Sequence, residues 1–370
     1  MKKFLSLFLA LTISILSLSV TSFAEETSVS ESFPMLISLE NSTEICDYAA
    51  KVAPQHLHSL IFSGEFPGSI NDYSIGTGFS IFNVNSQTTS TCFPLVYNGE
   101  LFAILEVCEN NGEYSSILSS SFAKELSAFF SNTTMEKFIL LTDGIRLQAY
   151  DGYNAIEIYK LYDDGTNSQD FASNYPFDLM SRSQSTITLT FDDIINPSIL
   201  TTLIMPKSPT EPVSRIVNVR GVSQGNHPWC WAATCAALIN YYTGTSLSAS
   251  TVANYVFPDN PEQGGTWSDM KKAYNHWSLY PSEMGVISFA SVRTKINDSS
   301  PMHLGLDGHS VGLIGYEDWY GVPGENDNRF LILLEPNGGV RKSVLLNSSG
   351  NFTYLLGGGD NAWKKTRYFS

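Results

Sequence analysis

Alternating and helical patterns of apolar residues divide most of the chain into short strands and a few helices. In the first half, alternation predicts strands over 92–97 and 100–107, joined by Asn98-Gly99, a dipeptide favoured in tight hairpin turns. Helical spacing predicts a helix over 121–130. Further strands are predicted over 137–141, 145–150, 155–162 and 186–191. We therefore expect the first half to be β-rich α+β.

In the second half, the apolar patterns predict both helices and strands. A small, apolar run over 230–243 ends at Gly244, which suits a helix C-cap, so the run predicts a buried helix. Thr266 and Asp269 form a capping-box-like start for a helix through 277. The other predicted elements are helices over 246–256 and 291–296 and strands over 286–289, 301–306, 309–316, 330–335, 343–346 and 352–356.

The first 24 residues have the pattern of a secretory signal peptide. Lys2 and Lys3 precede an apolar run over 4–20, and Ser22 and Ala24 supply the small residues expected before a cleavage site. No second stretch is long and apolar enough to span a bilayer, so we expect no stable membrane anchor. The sequence thus predicts an extracellular, secreted protein.

Charge and proline content divide the rest of the chain. Residues 1–215 contain 24 acidic and 10 basic side chains, a net charge of −14, whereas residues 216–370 have a net charge of −1. Three prolines over 205–215 indicate an extended linker. We therefore predict a propeptide-like domain over 25–204 and a second domain over 216–370. Neither is basic enough to indicate nucleic-acid binding.

Cysteine and histidine spacing gives no sign of a metal site or cofactor. His56 and His58 are two residues apart, but no third ligand is evident. The odd number of cysteines in a secreted chain indicates a free thiol, and a pairing of Cys92 with Cys108 stays open. We expect no metal and no cofactor.

Cys230 lies between Trp229 and Trp231 at the predicted start of a buried helix, and Gln224 stands six residues before it. The positive end of a helix stabilises a thiolate, which is the nucleophilic form of cysteine. The side-chain amide of Gln224 and the backbone N–H of Cys230 would together form an oxyanion hole.

Glutamine, five residues and then Cys-Trp at a helix start resembles the papain-like cysteine peptidases. The small flanking residues and the short following domain are more similar to their compact bacterial branch, with staphopain-type and bacteriocin-processing peptidases. The resemblance implies a papain-like C-terminal domain in which a helix headed by Cys230 packs on an antiparallel sheet.

The same resemblance implies the partners of Cys230. His309, which opens an apolar strand 79 residues later, is similar to the general base of the family. The family places Asn or Asp at the end of the next strand, often before a proline, to orient this histidine. Glu335 stands there, directly before Pro336, so Glu335 is the first candidate and Asn337 the alternative.

The predicted function is a secreted cysteine endopeptidase that acts on a protein or peptide substrate. The layout of an acidic β-rich domain before the peptidase domain resembles staphopain-type zymogens, and implies that the N-terminal domain is an intramolecular inhibitor. Two alternatives stay open: a surface-binding or adhesion protein that uses a papain-like domain without turnover, and an acyl-transfer enzyme with the same Cys-His pair.

Overall fold

The computed structural model describes residues 34–110, 112–161, 185–195, 201–202, 211–322, 327–354 and 362–369. These residues form an α+β molecule, as the sequence predicted, and the part from Pro34 onward is one compact unit. The described helices are α1 (Thr43–Phe62), α2 (Ala123–Asn132), α3 (Phe191–Ile195), α4 (Cys230–Thr243), α5 (Ala249–Val256), α6 (Trp267–His276) and α7 (Phe289–Asn297).

The strands lie in one large, mostly antiparallel arrangement. They are β1 (Met35–Leu39), β2 (Tyr73–Ile75), β3 (Phe79–Asn83), β4 (Thr88–Tyr97), β5 (Glu100–Asn110), β6 (Glu113–Ser119), β7 (Lys137–Thr142), β8 (Arg146–Tyr150), β9 (Ala155–Lys160), β10 (Thr186–Leu189), β11 (Thr201–Thr202), β12 (Val213–Ile216), β13 (Ser282–Met284), β14 (Met302–Leu306), β15 (Ser310–Asp318), β16 (Arg329–Glu335), β17 (Val340–Leu345) and β18 (Trp363–Tyr368).

The predicted hairpin of the first half is confirmed. β4 and β5 pair antiparallel, and the turn residues Asn98 and Gly99 have φ angles of 53° and 82°. Both residues are left-handed, as the favoured two-residue hairpin turn requires. The predicted helix over 121–130 is α2, shifted by two residues. The 20-residue helix α1 has no counterpart among the predicted elements.

The second half consists of a helical layer on an antiparallel sheet. β14, β15, β16 and β17 are neighbours in that order, and α4 packs against β14 and β15. The capping box at the start of α6 is present as predicted, since the Thr266 hydroxyl accepts from the N–H of Asp269 and the Asp269 carboxylate accepts from the N–H of Thr266. This sheet holds His309 and Glu335 against the start of α4.

The two halves share one sheet. β6 of the first half pairs with β17 of the second, with Leu118 opposite Ser343. α1 packs on β17, β16, β5 and β6 and so covers this junction. His56 on α1 lies 2.9 Å from the Ser343 hydroxyl through Nδ1 and 2.9 Å from the Ser116 hydroxyl through Nε2. Burial lowers the pKa of His56 to about 3, so this histidine joins the halves as a neutral group.

Two predicted strands are wrong. Ile287 and Phe289 are buried and alternate with exposed residues, but Ser288 between them is the N-cap of α7, and its hydroxyl accepts from the N–H of Ser291. Local hydrogen bonding by serine thus turns an apparent strand into a helix start. In the predicted strand over 352–356, the described residues form only an isolated bridge from Thr353 to Ala362.

The predicted signal peptide over 1–24 lies outside the described residues, as do 203–210 of the predicted linker. Residues 213–215, the last of that linker, belong to β12 and pair with β15. The predicted domain boundaries therefore stay predictions. None of the described helices combines the length and the apolarity needed to cross a membrane.

Candidate active site

Cys230 is the first residue of α4, and it is partly exposed whereas the next nine residues are buried. The helix ends as predicted at Gly244, whose φ is 71° and whose N–H donates to the carbonyl of Asn240. The first N–H groups of a helix have no partner within it and carry a partial positive charge. The Cys230 thiol therefore lies where a negative charge is stabilised.

The two tryptophans beside Cys230 fix it to the neighbouring loop. Trp229 donates from Nε1 to the carbonyl of Pro261 at 2.6 Å, and Trp231 donates to the carbonyl of Gln263 at 3.2 Å. Gly265 lies so close to Trp231 that a Cβ there would be 2.4 Å from the indole ring. The start of α4 is thus held on both sides of the cysteine.

His309 lies in the turn between β14 and β15 and is buried. Its Nε2 is 3.1 Å from Oε1 and 3.3 Å from Oε2 of Glu335. Its Nδ1 is buried and makes no hydrogen bond, yet Cys230 is close enough to contribute to the pKa of the ring. With Nε2 facing the carboxylate, Nδ1 is the nitrogen left for the thiol.

Glu335, rather than the side chain of Asn337, contacts His309. Glu335 ends β16 and is fully buried, and its Oε1 accepts a hydrogen bond of 2.9 Å from the backbone N–H of Asn337. The Asn337 side chain points elsewhere and donates to the hydroxyl of Tyr159 in the first half. The two alternatives from the sequence thus have different partners.

The imidazole and the carboxylate form a charged pair. Burial alone would lower the pKa of His309, but the charge of Glu335 and the proximity of Cys230 outweigh it and raise the pKa to about 10. Burial likewise favours neutral Glu335, but Lys342 and His309 outweigh it and lower its pKa to about 2. At neutral pH an imidazolium therefore lies beside the thiol.

Gln224 is buried, and both N–H groups of its side-chain amide donate hydrogen bonds. Its backbone N–H donates to the carbonyl of Pro336 at 2.8 Å. Its Nε2 donates to the carbonyl of His227 at 3.1 Å and to the carbonyl of Leu161 at 3.0 Å. Because Leu161 directly follows β9, one of the two amide protons of Gln224 is occupied by the first half of the chain.

The other histidines have separate partners. His227 stacks on Trp229 and lies 2.8 Å from Glu262, while His303 is buried against the Tyr274 hydroxyl. Within the part of the chain that the structure describes, no group of three His, Cys, Asp or Glu residues is arranged to hold a metal ion. All five cysteines are free thiols, including Cys92 and Cys108.

Residues 216–353 match the model of a family described as Peptidase_C39 like. This interval includes Gln224, Cys230, His309, Glu335 and Asn337. The chain contains a cysteine-type peptidase domain. The resemblance to papain-like cysteine peptidases is thus confirmed, while the bacteriocin-processing branch stays a prediction.

Two solved structures show weak similarity to the chain. A crystal structure of a C39-like peptidase from Bacillus anthracis matches with 13% identity and a TM-score of 0.28, over 43% of this chain and 98% of that chain. UfSP from C. elegans matches with 10% identity and a TM-score of 0.27, over 91% of this chain and 76% of that chain. TM-scores this low do not establish a shared fold. No curated protein matches the chain.

His309 in the peptidase domain lines two spaces. A cleft of about 460 Å³ is lined by Cys230, Trp267 and His309. A cavity of about 220 Å³ is lined by His309 and by residues of both halves, among them Ile104, Tyr159, Leu161, Lys342 and Tyr354. Of these two spaces, the cleft is the one that Cys230 lines.

Two supporting features of the peptidase domain were missed in the sequence. Gly221 crosses the loop after β16 so closely that a Cβ there would lie 2.0 Å from the carbonyl oxygen of Gly339. Lys342 on β17 lies 3.3 Å from Glu335. A lone lysine among inward-facing apolar positions of a strand is the signal that could have found the second feature.

Proposed function

We propose that the chain is a secreted cysteine endopeptidase, made as a zymogen, that hydrolyses peptide bonds in protein or peptide substrates. The observation that carries the proposal is the arrangement of His309: Nε2 faces the buried carboxylate of Glu335, and Nδ1 is left for Cys230. A nucleophile, a base and a group that orients the base are the parts of a covalent hydrolytic site.

The proposed reaction begins with the Cys230 thiolate and the His309 imidazolium. The thiolate attacks the carbonyl carbon of the scissile bond, and Nδ1 of His309 gives its proton to the departing amine as the C–N bond breaks. Neutral His309 then takes a proton from a water molecule, which attacks the thioester. The acid leaves, and the proton on His309 restores the charged pair.

Gln224 is proposed to stabilise the oxyanion that forms during both attacks. One Nε2 proton is held by the His227 carbonyl, which fixes the plane of the amide. The second N–H of Nε2 donates to the Leu161 carbonyl. This N–H becomes free to bind the oxyanion when Leu161 moves away. The backbone N–H of Cys230 at the helix start supplies the second donor.

The contact with Leu161 also supports the proposed inhibition by the first half of the chain. A backbone carbonyl from the segment after β9 takes the donor that a substrate carbonyl would use. The Asn337 side chain donates to Tyr159 and holds the same segment. Cleavage over 205–215 and removal of this segment would release Gln224, and the signal peptide over 1–24 would place that cleavage outside the cell.

The test is a time course of the full chain from Glu25 onward. The wild type is compared with Cys230→Ala and with Cys235→Ala, which removes a buried thiol from the same helix. Fragment sizes, new N-termini and hydrolysis of a fluorogenic peptide mixture are followed with and without a thiol-reactive epoxide.

We expect wild type and Cys235→Ala to be trimmed between 205 and 215 and to hydrolyse peptides, with Cys230→Ala inert. If wild type is neither trimmed nor able to hydrolyse peptides after removal of the first half by an added protease, the endopeptidase proposal is wrong. Added amine acceptors identify acyl transfer, because they would then appear in the product.

A further inference from the structure

Lys342 is a buried cation next to the proposed catalytic residues, and the proposed mechanism gives it no role. Its side chain is 7% exposed, and its Nζ lies 3.3 Å from Oε2 of Glu335. The same Nζ lies 4.7 Å from the centre of the Tyr354 ring, which in turn is 5.4 Å from the ring of His309. A buried ammonium is costly unless it is paired, so this position calls for an explanation.

The register of β16 and β17 puts Lys342 beside Glu335. Leu333 is opposite Lys342, and Glu335 is opposite Val340. Lys342 and Glu335 are therefore diagonal neighbours on one face of the sheet. Diagonal positions are within reach of long side chains, so the lysine stem can bring its charge to the carboxylate without a change in the backbone.

The partners of Glu335 contact both of its oxygens. Oε1 accepts from the backbone N–H of Asn337 and is the nearer oxygen to Nε2 of His309, whereas Oε2 lies 3.3 Å from both Nε2 of His309 and Nζ of Lys342. Without Lys342, Oε2 would keep the longer of the two His309 contacts and lose its cation. The lysine therefore contributes to the rotation of the carboxylate as well as to its charge.

We propose that Lys342 is a positioning residue that keeps Glu335 ionised and turned towards His309. The inference rests on the peptidase function proposed above, because it assigns Lys342 to the same site. Burial alone raises the pKa of Glu335, and Lys342 is the strongest of the groups that lower it. Glutamate at a position where the resembled family has Asn or Asp thus comes with its own buried counter-ion.

The experiment separates this role from simple packing on Tyr354. Lys342→Met keeps most of the stem and removes the charge, Lys342→Arg keeps the charge, and Tyr354→Leu removes the ring and leaves the lysine. Lys137→Met, at an exposed position on β7, is the matched control. The readout is the rate of alkylation of Cys230 by iodoacetamide in the full chain, located by mass spectrometry, between about pH 4 and 9. Thermal unfolding is followed in parallel.

We expect the alkylation rate of Lys342→Met at pH 5 to be at least tenfold below that of wild type. The acid limb of its alkylation-rate profile should move to higher pH by about one pH unit or more, because Glu335 without Lys342 becomes protonated in that range. Lys342→Arg should recover most of the rate, and Lys137→Met should match wild type. The proposal is wrong if Lys342→Met is folded and the acid limb of its profile lies at the same pH as in wild type. It is also wrong if Tyr354→Leu shifts the acid limb as far as Lys342→Met does.

Failure of this inference and failure of the proposed function give different results. If the acid limb shifts in Lys342→Met but the protein never hydrolyses peptides, the positioning role is supported and the peptidase proposal is contradicted. If wild type hydrolyses peptides and a folded Lys342→Met keeps the acid limb of wild type, only the positioning role is contradicted.

Discussion

At the scale of single residues, the site depends on charges that are buried and balanced. Glu335 and the side chain of Lys342 are almost completely excluded from solvent, as is His309. Burial alone would favour the neutral forms of Glu335 and His309, and the neighbours of these two groups outweigh it. The Cys230 thiol, at the exposed end of this row, thus faces an imidazolium that the carboxylate maintains over a wide range of pH.

Replacing Glu335 by glutamine should move the alkaline limit of activity to lower pH. The pKa of His309 is about 10 with the carboxylate in place, so the ring is charged below that pH and loses its charge above it. Without the carboxylate, burial dominates and the pKa falls by about two units or more, towards or below its ordinary value. The alkaline limb of the kcat/KM profile should move to lower pH by a similar amount.

The pH profile of peptide hydrolysis after removal of the first half checks this prediction. Asp298→Asn, at an exposed position in the second half, is the control. Glutamine is close to glutamate in shape, so an unchanged alkaline limb in Glu335→Gln would mean that the carboxylate charge does not set the state of His309.

At the scale of elements, the site is assembled where the segment before α4 crosses the loop after β16. The backbone N–H of Gln224 donates to the Pro336 carbonyl, and Gly221 lies against Gly339. This crossing ties the amide donor to the strand that ends in Glu335. The position of Gln224 relative to Glu335 is therefore set by backbone contacts.

Gly221→Ala should disturb this crossing. The added Cβ would be 2.0 Å from the Gly339 carbonyl oxygen, so one backbone segment must shift. We expect a loss of about 1–3 kcal/mol in the free energy of unfolding and a fall in activity as Gln224 moves. Gly285→Ala is the control, since its nearest contact would be 3.9 Å away. Urea denaturation of both variants measures the difference, and equal stability would contradict the close crossing.

Local signals made part of this arrangement predictable. The glycine that ends α4 and the capping box of α6 act within a few residues, and both were found in the sequence. α1 was missed because Pro54 lies inside it, where proline is normally disfavoured. The contacts of Lys342 with Glu335 and of Leu161 with Gln224 depend on strand register and on long-range packing. A local pattern can mark Lys342 as a buried lysine, but it does not identify the partner of either residue.

At the scale of the whole molecule, the first half of the chain is built into the peptidase domain. β6 pairs with β17, and the segment after β9 reaches Gln224. Asn337, which stands next to the site in sequence, donates to Tyr159 of that same segment. Inhibition and structural support would therefore come from different parts of the first half.

Tyr159→Phe should loosen the segment after β9 without changing the site. The variant removes the hydroxyl that accepts from Asn337, a loss of about 1 kcal/mol. We expect labelling of Cys230 in the full chain by a peptidyl epoxide to become roughly fivefold faster. Tyr153→Phe, at a position 94% exposed, should have no effect. Equal rates in the two variants would show that this contact does not restrict access.

The central claim is that His309 activates Cys230, and labelling of the full chain tests it most directly. Wild type, His309→Ala and His276→Ala, the last at an exposed position, are treated with a thiol-reactive epoxide at neutral pH, and the modified residues are identified by mass spectrometry. The account predicts that Cys230 is labelled far faster than the other four cysteines in wild type and His276→Ala, and that this advantage disappears in His309→Ala. Equal labelling of Cys230 in all three proteins would contradict it.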